Sequence, residues 1–209
     1  MNNVEIARKL LEIEAVVIKD EDHLFTWASG IKSPIYCDNR LIMAYPDFRK
    51  EVARAFVGRI RGLKKDIDVI VGTATAGIAH AAWVADLMGL PMAYVRSASK
   101  EHGKQNQIEG IVSKGDRVVV IEDLLSTGGS ALKAVEALRE AGAEVVTVFS
   151  IFNYNFDELL IRFAEAQMSF ESLTDYKTLL PIARDTGYIQ EESFGVLQRW
   201  SENPKVFTE

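Results

Sequence analysis

Val118-Val119-Val120-Ile121-Glu122-Asp123-Leu124-Leu125-Ser126-Thr127-Gly128-Gly129-Ser130 runs from unbroken hydrophobicity through two acids into a turn of small residues. An apolar run rich in β-branched residues reads as a strand buried on both faces, the kind found in parallel sheets covered by helices. The strand is expected over 117–121 and a helix over 131–141. Backbone N–H groups between Ser126 and Ser130 can converge on a phosphate, and the positive end of the following helix points the same way. Glu122 and Asp123 then stand beside that anion, where carboxylates can hold ribose hydroxyls or a hydrated magnesium ion. Adjacent acids after a strand also serve as plain helix caps. It is the combination of apolar strand, acidic pair and Ser-Thr-Gly-Gly-Ser turn that favours the phosphate reading. No lysine follows the glycines and their spacing is not that of a dinucleotide fingerprint, which removes the main support for a nucleotide triphosphatase or a dehydrogenase.

Outward from this segment, 67–71, 91–95 and 144–151 read as further strands and 78–88 as a helix. Their alternation predicts an α/β fold, a mostly parallel sheet with helices on both faces and the crevice beyond the carboxyl ends of the strands. Towards the amino terminus, apolar residues near the helical period predict a helix over 4–14. Short β-prone runs between 16 and 40 form a small β-rich cap, and Pro46 opens a helix that stops near Gly62. The tail carries helical patches at 156–166, 178–183 and 192–200. There is no internal repeat, so the organisation is one domain over 1–209 with a cap drawn mainly from 16–40.

Bulk properties narrow the function. A chain of 209 residues with 48% hydrophobic composition can bury one substantial core. Its net charge of −6 comes without a basic block, which argues against nucleic acid as a partner. Cys37 is the only cysteine, so no intrachain disulfide framework exists, and it reads as a small buried hydrophobe in a reducing compartment. The first ten residues contain Asn, Glu, Arg and Lys rather than an apolar signal core, and no stretch approaches the roughly 18 apolar residues of a membrane span. No membrane and a cytoplasmic location are expected.

Two more loops leave strand ends. Gly72-Thr73-Ala74-Thr75-Ala76-Gly77 has side chains small enough for backbone amides to approach an anion, and reads equally well as a turn that packs a helix on the sheet. His80 on the next helix reads as a packed or surface residue rather than a catalyst. Arg96-Ser97-Ala98-Ser99-Lys100-Glu101-His102-Gly103-Lys104-Gln105-Asn106-Gln107 is a long polar loop that concentrates positive charge in an acidic protein. A closing basic lid over the crevice accounts for both its length and its charge.

The run at 118–130 resembles the phosphoribosyl-diphosphate signature of type I phosphoribosyltransferases. Phe25-Thr26-Trp27-Ala28-Ser29-Gly30-Ile31-Lys32-Ser33-Pro34-Ile35-Tyr36-Cys37-Asp38-Asn39-Arg40 resembles the amino-terminal base-binding motif of the orotate phosphoribosyltransferases. With Arg96 and Lys100-Glu101-His102-Gly103 also present in order, the resemblance covers nearly the whole chain. It implies the type I phosphoribosyltransferase fold. It also implies transfer of the phosphoribosyl group from 5-phosphoribosyl 1-diphosphate to orotate in de novo pyrimidine biosynthesis, with Mg2+ brought mainly by the substrate and sitting near Glu122 and Asp123. The residues so implied to hold the ribosyl diphosphate are Thr73, Ala74, Arg96, Lys100, His102, Lys104, Glu122, Asp123, Leu124, Leu125, Ser126, Thr127, Gly128, Gly129 and Ser130. Orotate falls to Lys32, Ser33, Tyr36 and Ser126, and catalysis to Lys100, His102, Glu122 and Asp123. Three positions depart from the pattern: Ala28, Ala76 and Ser97 stand where many members carry lysine. No arginine follows the last strand either, where Phe152-Asn153-Tyr154 occurs, leaving Lys32 and main-chain amides as candidates for orotate's carboxylate. A purine acceptor on the same scaffold, and a non-enzymatic regulator of RNA or DNA, are the competing readings. The second should show a basic surface that this chain lacks.

The resemblance also implies a homodimer in which each lid serves the partner's pocket. Lys100→Ala then spoils a lid and Asp123→Asn a pocket, so each mutant homodimer should be nearly inactive. Random exchange makes about half the dimers mixed, with one intact site in each, so about a quarter of wild-type activity should return. The assay follows differently tagged chains that co-purify; mixed dimers that stay inactive would place Lys100 over its own pocket.

Overall fold

The strands form where the apolar runs predict them, and residue alternation within each strand divides the interior into two cores. In β8 (Arg117–Leu125), Val118 and Val120 pack into one core while Val119 and Ile121 pack into the other, because successive side chains of a strand face opposite sides. Such a strand must be covered on both faces, and it is.

The computed structural model describes residues 1–19, 21–27, 30–97 and 107–207. The chain begins with α1 (Asn3–Glu12), started by a reciprocal capping box between Asn2 and Glu5. The short strands β1 (Val16–Ile18), β2 (Phe25–Thr26), β3 (Lys32–Ser33) and β4 (Ile35–Cys37) follow, then a 3-10 helix (Asn39–Ala44) and α2 (Pro46–Gly62), which opens on Pro46. The central unit then runs β5 (Val69–Thr73), α3 (Gly77–Met88), β6 (Met92–Val95), β7 (Ile108–Glu109), β8, α4 (Gly129–Glu140) and β9 (Glu144–Asn153). The tail adds α5 (Asp157–Glu165), β10 (Phe170–Asp175), α6 (Tyr176–Asp185) and α7 (Glu191–Glu202).

Six strands make the main sheet in the order β10-β9-β8-β5-β6-β7, parallel except for β7, which runs antiparallel to β6. Apolar residues of α4 and α5 close one face, and those of α1, α2, α3, α6 and α7 close the other. Above the strand ends, β1 pairs with β4 and β2 with β3, both antiparallel, forming the expected cap. No helix among the described residues is long and apolar enough to cross a membrane.

Three features depart from the sequence reading. β8 continues through Glu122 and Asp123 to Leu125, so the acids lie inside the strand rather than after it; pairing with β9 extends to Leu125 and carries them along. β10 was not anticipated, because four of the six residues in Phe170-Glu171-Ser172-Leu173-Thr174-Asp175 are polar, as suits a strand at the sheet edge. α7 and the turn before it also brace the cap: Trp200 Nε1 donates to the Lys32 carbonyl at 3.0 Å, and the Tyr188 hydroxyl donates to the Val16 carbonyl at 2.5 Å. Partners about 170 residues apart leave no local trace.

His80 is packed inside, 1% exposed, with Trp83 edge-on at 5.3 Å and no hydrogen-bond partner for either ring nitrogen among the described residues. Burial pulls its pKa down to about 4. Since this lies below the unfolded value of about 6.5, the unfolded chain takes up the proton first as pH falls. The neutral histidine's contribution is therefore complete above pH 6.5 and is lost as pH drops towards 4. Between pH 7.5 and 5.5 the stability difference between wild type and His80→Leu should move by about 1.4 kcal/mol in favour of the variant. Denaturant unfolding at both pH values measures it, and a constant difference would show that the fold does not depress this pKa.

Candidate active site

β5 and β8 lie side by side and end at the same edge of the sheet, so their two loops meet. How closely they meet is set by Gly77, the first residue of α3. A Cβ there would sit 2.4 Å from the Ile121 carbonyl oxygen and 2.6 Å from Thr73 Oγ1, distances no side chain tolerates against backbone. Thr73 in turn donates its hydroxyl to the Ile121 carbonyl at 3.3 Å. The loop at 74–76, whose Ala74–Thr75 peptide is cis, is thereby pressed against the acidic end of β8.

On the other side of β8 the chain turns into α4 through Gly128, at φ +77°, a left-handed conformation that favours glycine. A Cβ at Gly128 would also come within 2.6 Å of the Phe163 ring. No side chain caps α4, so its first-turn N–H groups keep their capacity to bind an anion.

These elements and the cap enclose a crevice of about 830 Å³. Phe25, Thr26, Trp27, Tyr36, Asp38 and Arg40 line it from the cap, Ala74, Thr75 and Ala76 from the loop after β5, and Glu122, Asp123, Leu124, Ser126, Ser130 and Tyr154 from the opposite wall. Glu122 is nearly buried and accepts the Asp123 N–H at 3.0 Å and the Ser130 hydroxyl at 3.4 Å. Burial, followed by the neighbouring Asp123 charge, pushes its carboxyl well above the usual range. Asp123 is also raised by burial, against which nearby hydrogen bonds and the Arg40 charge act. A buried and a half-buried acid side by side, both disfavoured from ionising, are a site that gains by receiving positive charge.

The cap is fastened to this wall by polar contacts. Asn39, fully buried, donates Nδ2–H to the main-chain carbonyl of Asp123 at 2.8 Å. The Cys37 N–H donates to the Tyr154 hydroxyl at 3.1 Å. Cys37 itself is buried, and burial pushes its thiol pKa up, as its reading as a small hydrophobe requires.

Of the residues singled out in the sequence, the crevice brings together Tyr36, Ala74, Glu122, Asp123, Leu124, Ser126 and Ser130. Thr73, Leu125 and Gly128 are buried behind its wall, while Thr127 and Gly129 are half-buried in the turn. Arg96 lies outside the lining and pairs with Glu109 at 3.5 Å. Lys32 is exposed at the cap. Ser33 is fully buried, its hydroxyl donating to the Ile35 carbonyl at 2.6 Å and accepting the Ile35 N–H at 3.2 Å. Lys100, His102, Lys104 and Ala28 lie outside the described residues. Sequence reasoning missed Asp38, Asn39, Arg40, Trp27 and Tyr154 as parts of the site. Asp38-Asn39-Arg40 could have been found from their place just after Tyr36-Cys37, whereas Tyr154 had no local signal.

Among the described residues no three potential ligands cluster to hold a metal by themselves. The hard oxygens of Glu122 and Asp123 suit a magnesium ion that arrives with phosphate ligands of its own.

Residues 42–172 match the family described as phosphoribosyl transferase domain. The chain is 53% identical over 204 residues to the orotate phosphoribosyltransferase of Fusobacterium nucleatum, covering 97% of each. It is 55% identical over 199 residues to that of Halalkalibacterium halodurans, covering 95% of this chain and 94% of the relative. Among solved structures, UMP synthase from Leishmania donovani superposes with a TM-score of 0.82 at 31% identity over 96% of this chain, which spans 42% of that longer protein. Orotate phosphoribosyltransferase from Aeropyrum pernix superposes with a TM-score of 0.75 at 27% identity, covering 88% of this chain and 99% of that one. From sequence and fold alike, the chain belongs to the orotate phosphoribosyltransferase family of type I phosphoribosyltransferases.

Proposed function

We propose that this crevice joins orotate to the ribosyl group of 5-phosphoribosyl 1-diphosphate, forming orotidine 5'-phosphate and diphosphate in pyrimidine biosynthesis. The observation that carries the reading is the buried Glu122 with half-buried Asp123 beside the uncapped start of α4, facing Tyr36 across the crevice. The turn at 126–129 and the first N–H groups of α4 hold the 5-phosphate. Backbone amides around Thr73 and Ala74 receive the diphosphate, and the Tyr36 ring offers a face to the flat pyrimidine, with Ser126 at its edge. Lys32 and Ser33 form β3, the short strand that precedes the one presenting Tyr36.

Orotate N1 attacks C1 of the ribose as the bond from C1 to the diphosphate oxygen breaks, and N1 gives up its proton. Positive charge builds on the ribose ring. Glu122 and Asp123, ionised by the arriving cationic charge, stabilise it from a fixed position with little reorganisation. Magnesium, when bound near these acids, would neutralise charge on the diphosphate. Arg96, Lys100, His102 and Lys104 are proposed to do the same from the 96–107 loop, reaching across a homodimer into the partner's crevice. A cytoplasmic setting goes with this reading.

Loss of orotate absorbance in the presence of ribosyl diphosphate and magnesium tests the reaction, with adenine, guanine, hypoxanthine and uracil as competing acceptors. Asp123→Asn, nearly isosteric, should lower kcat by on the order of a hundredfold or more while unfolding close to wild type. A fully active Asp123→Asn would make the acidic pair structural, and a preference for a purine would overturn the choice of base.

A further inference from the structure

We propose that Arg40 recognises the carboxylate of the pyrimidine and so selects a carboxylated base over uracil; this deepens the reading of the crevice given above. The charged residues among the described lining are Asp38, Glu122, Asp123 and Arg40, three acids against one cation. Such a wall offers an anionic base no positive side chain but Arg40 among the described lining residues. Lys32 does not line the crevice, and the segment after β9 supplies Tyr154 rather than a basic side chain.

Arg40 is also held ready for the task. Its Nε donates to Asp38 Oδ1 at 2.6 Å and its Nη2 to Asp38 Oδ2 at 2.8 Å, so the guanidinium plane is fixed by a two-point pair. Nη2 reaches the Tyr36 hydroxyl as well, at 3.3 Å. The plane therefore meets the rim of the aromatic ring on which a flat base would lie, and a carboxylate on that base comes within reach of it. These bonds use Nε and Nη2, and a guanidinium has two further N–H donors on Nη1 for a second carboxylate. The arginine side chain is 55% exposed while Asp38 is 25% exposed, so the cation rather than its partner faces solvent and ligand. The neighbouring Asn39 anchors the whole turn to the Asp123 carbonyl, holding Arg40 at a set position relative to the reacting end of the crevice. Because the side chain is ordered before ligand arrives, little rotamer entropy is lost on binding.

The test compares two nucleotides that differ only in the carboxylate. By calorimetry, the wild-type chain should bind orotidine 5'-phosphate more tightly than uridine 5'-phosphate by at least about tenfold, as a charged hydrogen-bonded pair warrants. Arg40→Gln should bring the two affinities within about threefold by weakening only the carboxylated one, and Arg40→Lys should restore part of the gap. In steady state, Arg40→Gln should raise KM for orotate at least about tenfold and leave KM for ribosyl diphosphate within about twofold. An unchanged preference in Arg40→Gln overturns the proposal. So does an equal loss for both nucleotides, which would assign Arg40 to the ribose or phosphate, and so does a shifted acid limb with orotate KM unaltered, which would mean that it acts only through Asp123. A wild type that discriminates the nucleotides yet fails to convert orotate would sink the activity and leave Arg40's role standing.

Discussion

The contact between the start of α3 and the backbone of β8 governs this molecule's chemistry. With hydrogen at Gly77 the helix can rest directly on the Ile121 carbonyl, and any larger group would have to push one of two buried elements away. That closeness sets the loop at 74–76 against Glu122 and Asp123 and gives the crevice its depth. Gly72, within β5, is similarly enclosed by Ala81 and the Gly77 carbonyl. Small residues here are thus a packing requirement at the junction of two strand ends. Their use towards a phosphate follows from the same lack of side chains.

Against this tight frame the acids are costly to keep. Glu122 and Asp123 lie where desolvation disfavours their charge, and they crowd each other. The fold offsets part of the cost with the Asp123 N–H and the Ser130 hydroxyl for Glu122, and with the Arg40 charge for Asp123. A ribosyl group that becomes cationic only at the transition state interacts best with such a pair then, which is the condition for lowering a barrier rather than merely binding substrate.

The cap gains its place through tertiary contacts rather than its own strength. Its strands are two or three residues long, too short to persist alone. Trp27 packs against Tyr154 at 4.7 Å and Trp200 at 5.6 Å, joining the cap, the end of β9 and α7 in one aromatic cluster. Asn39 and the Cys37 N–H add directional bonds to the same wall. The aromatic cluster supplies area and the polar pair supplies register, so the base-binding face and the ribose-binding face are held in one geometry.

Much of this was legible beforehand. The unbroken apolar strands and the helices between them determined a parallel sheet with two covered faces, because burial on both sides demands apolar residues at every position. Acids followed by Ser126-Thr127-Gly128-Gly129-Ser130 marked the phosphate end, because those residue types act locally. What remained illegible depends on residues distant in sequence. The extension of β8 through its acids follows from pairing with β9, and β10 is a strand because β9 offers it an edge. Ser33, a candidate ligand by position, is buried with its hydroxyl committed to Ile35, while Arg40 faces the crevice because Asp38 and Tyr36 hold it there. Local pattern determined which chemistry the chain carries, since backbone propensity and residue type act over a few positions. Only tertiary structure decided which side chains meet, since packing and buried hydrogen bonds join segments up to about 170 residues apart.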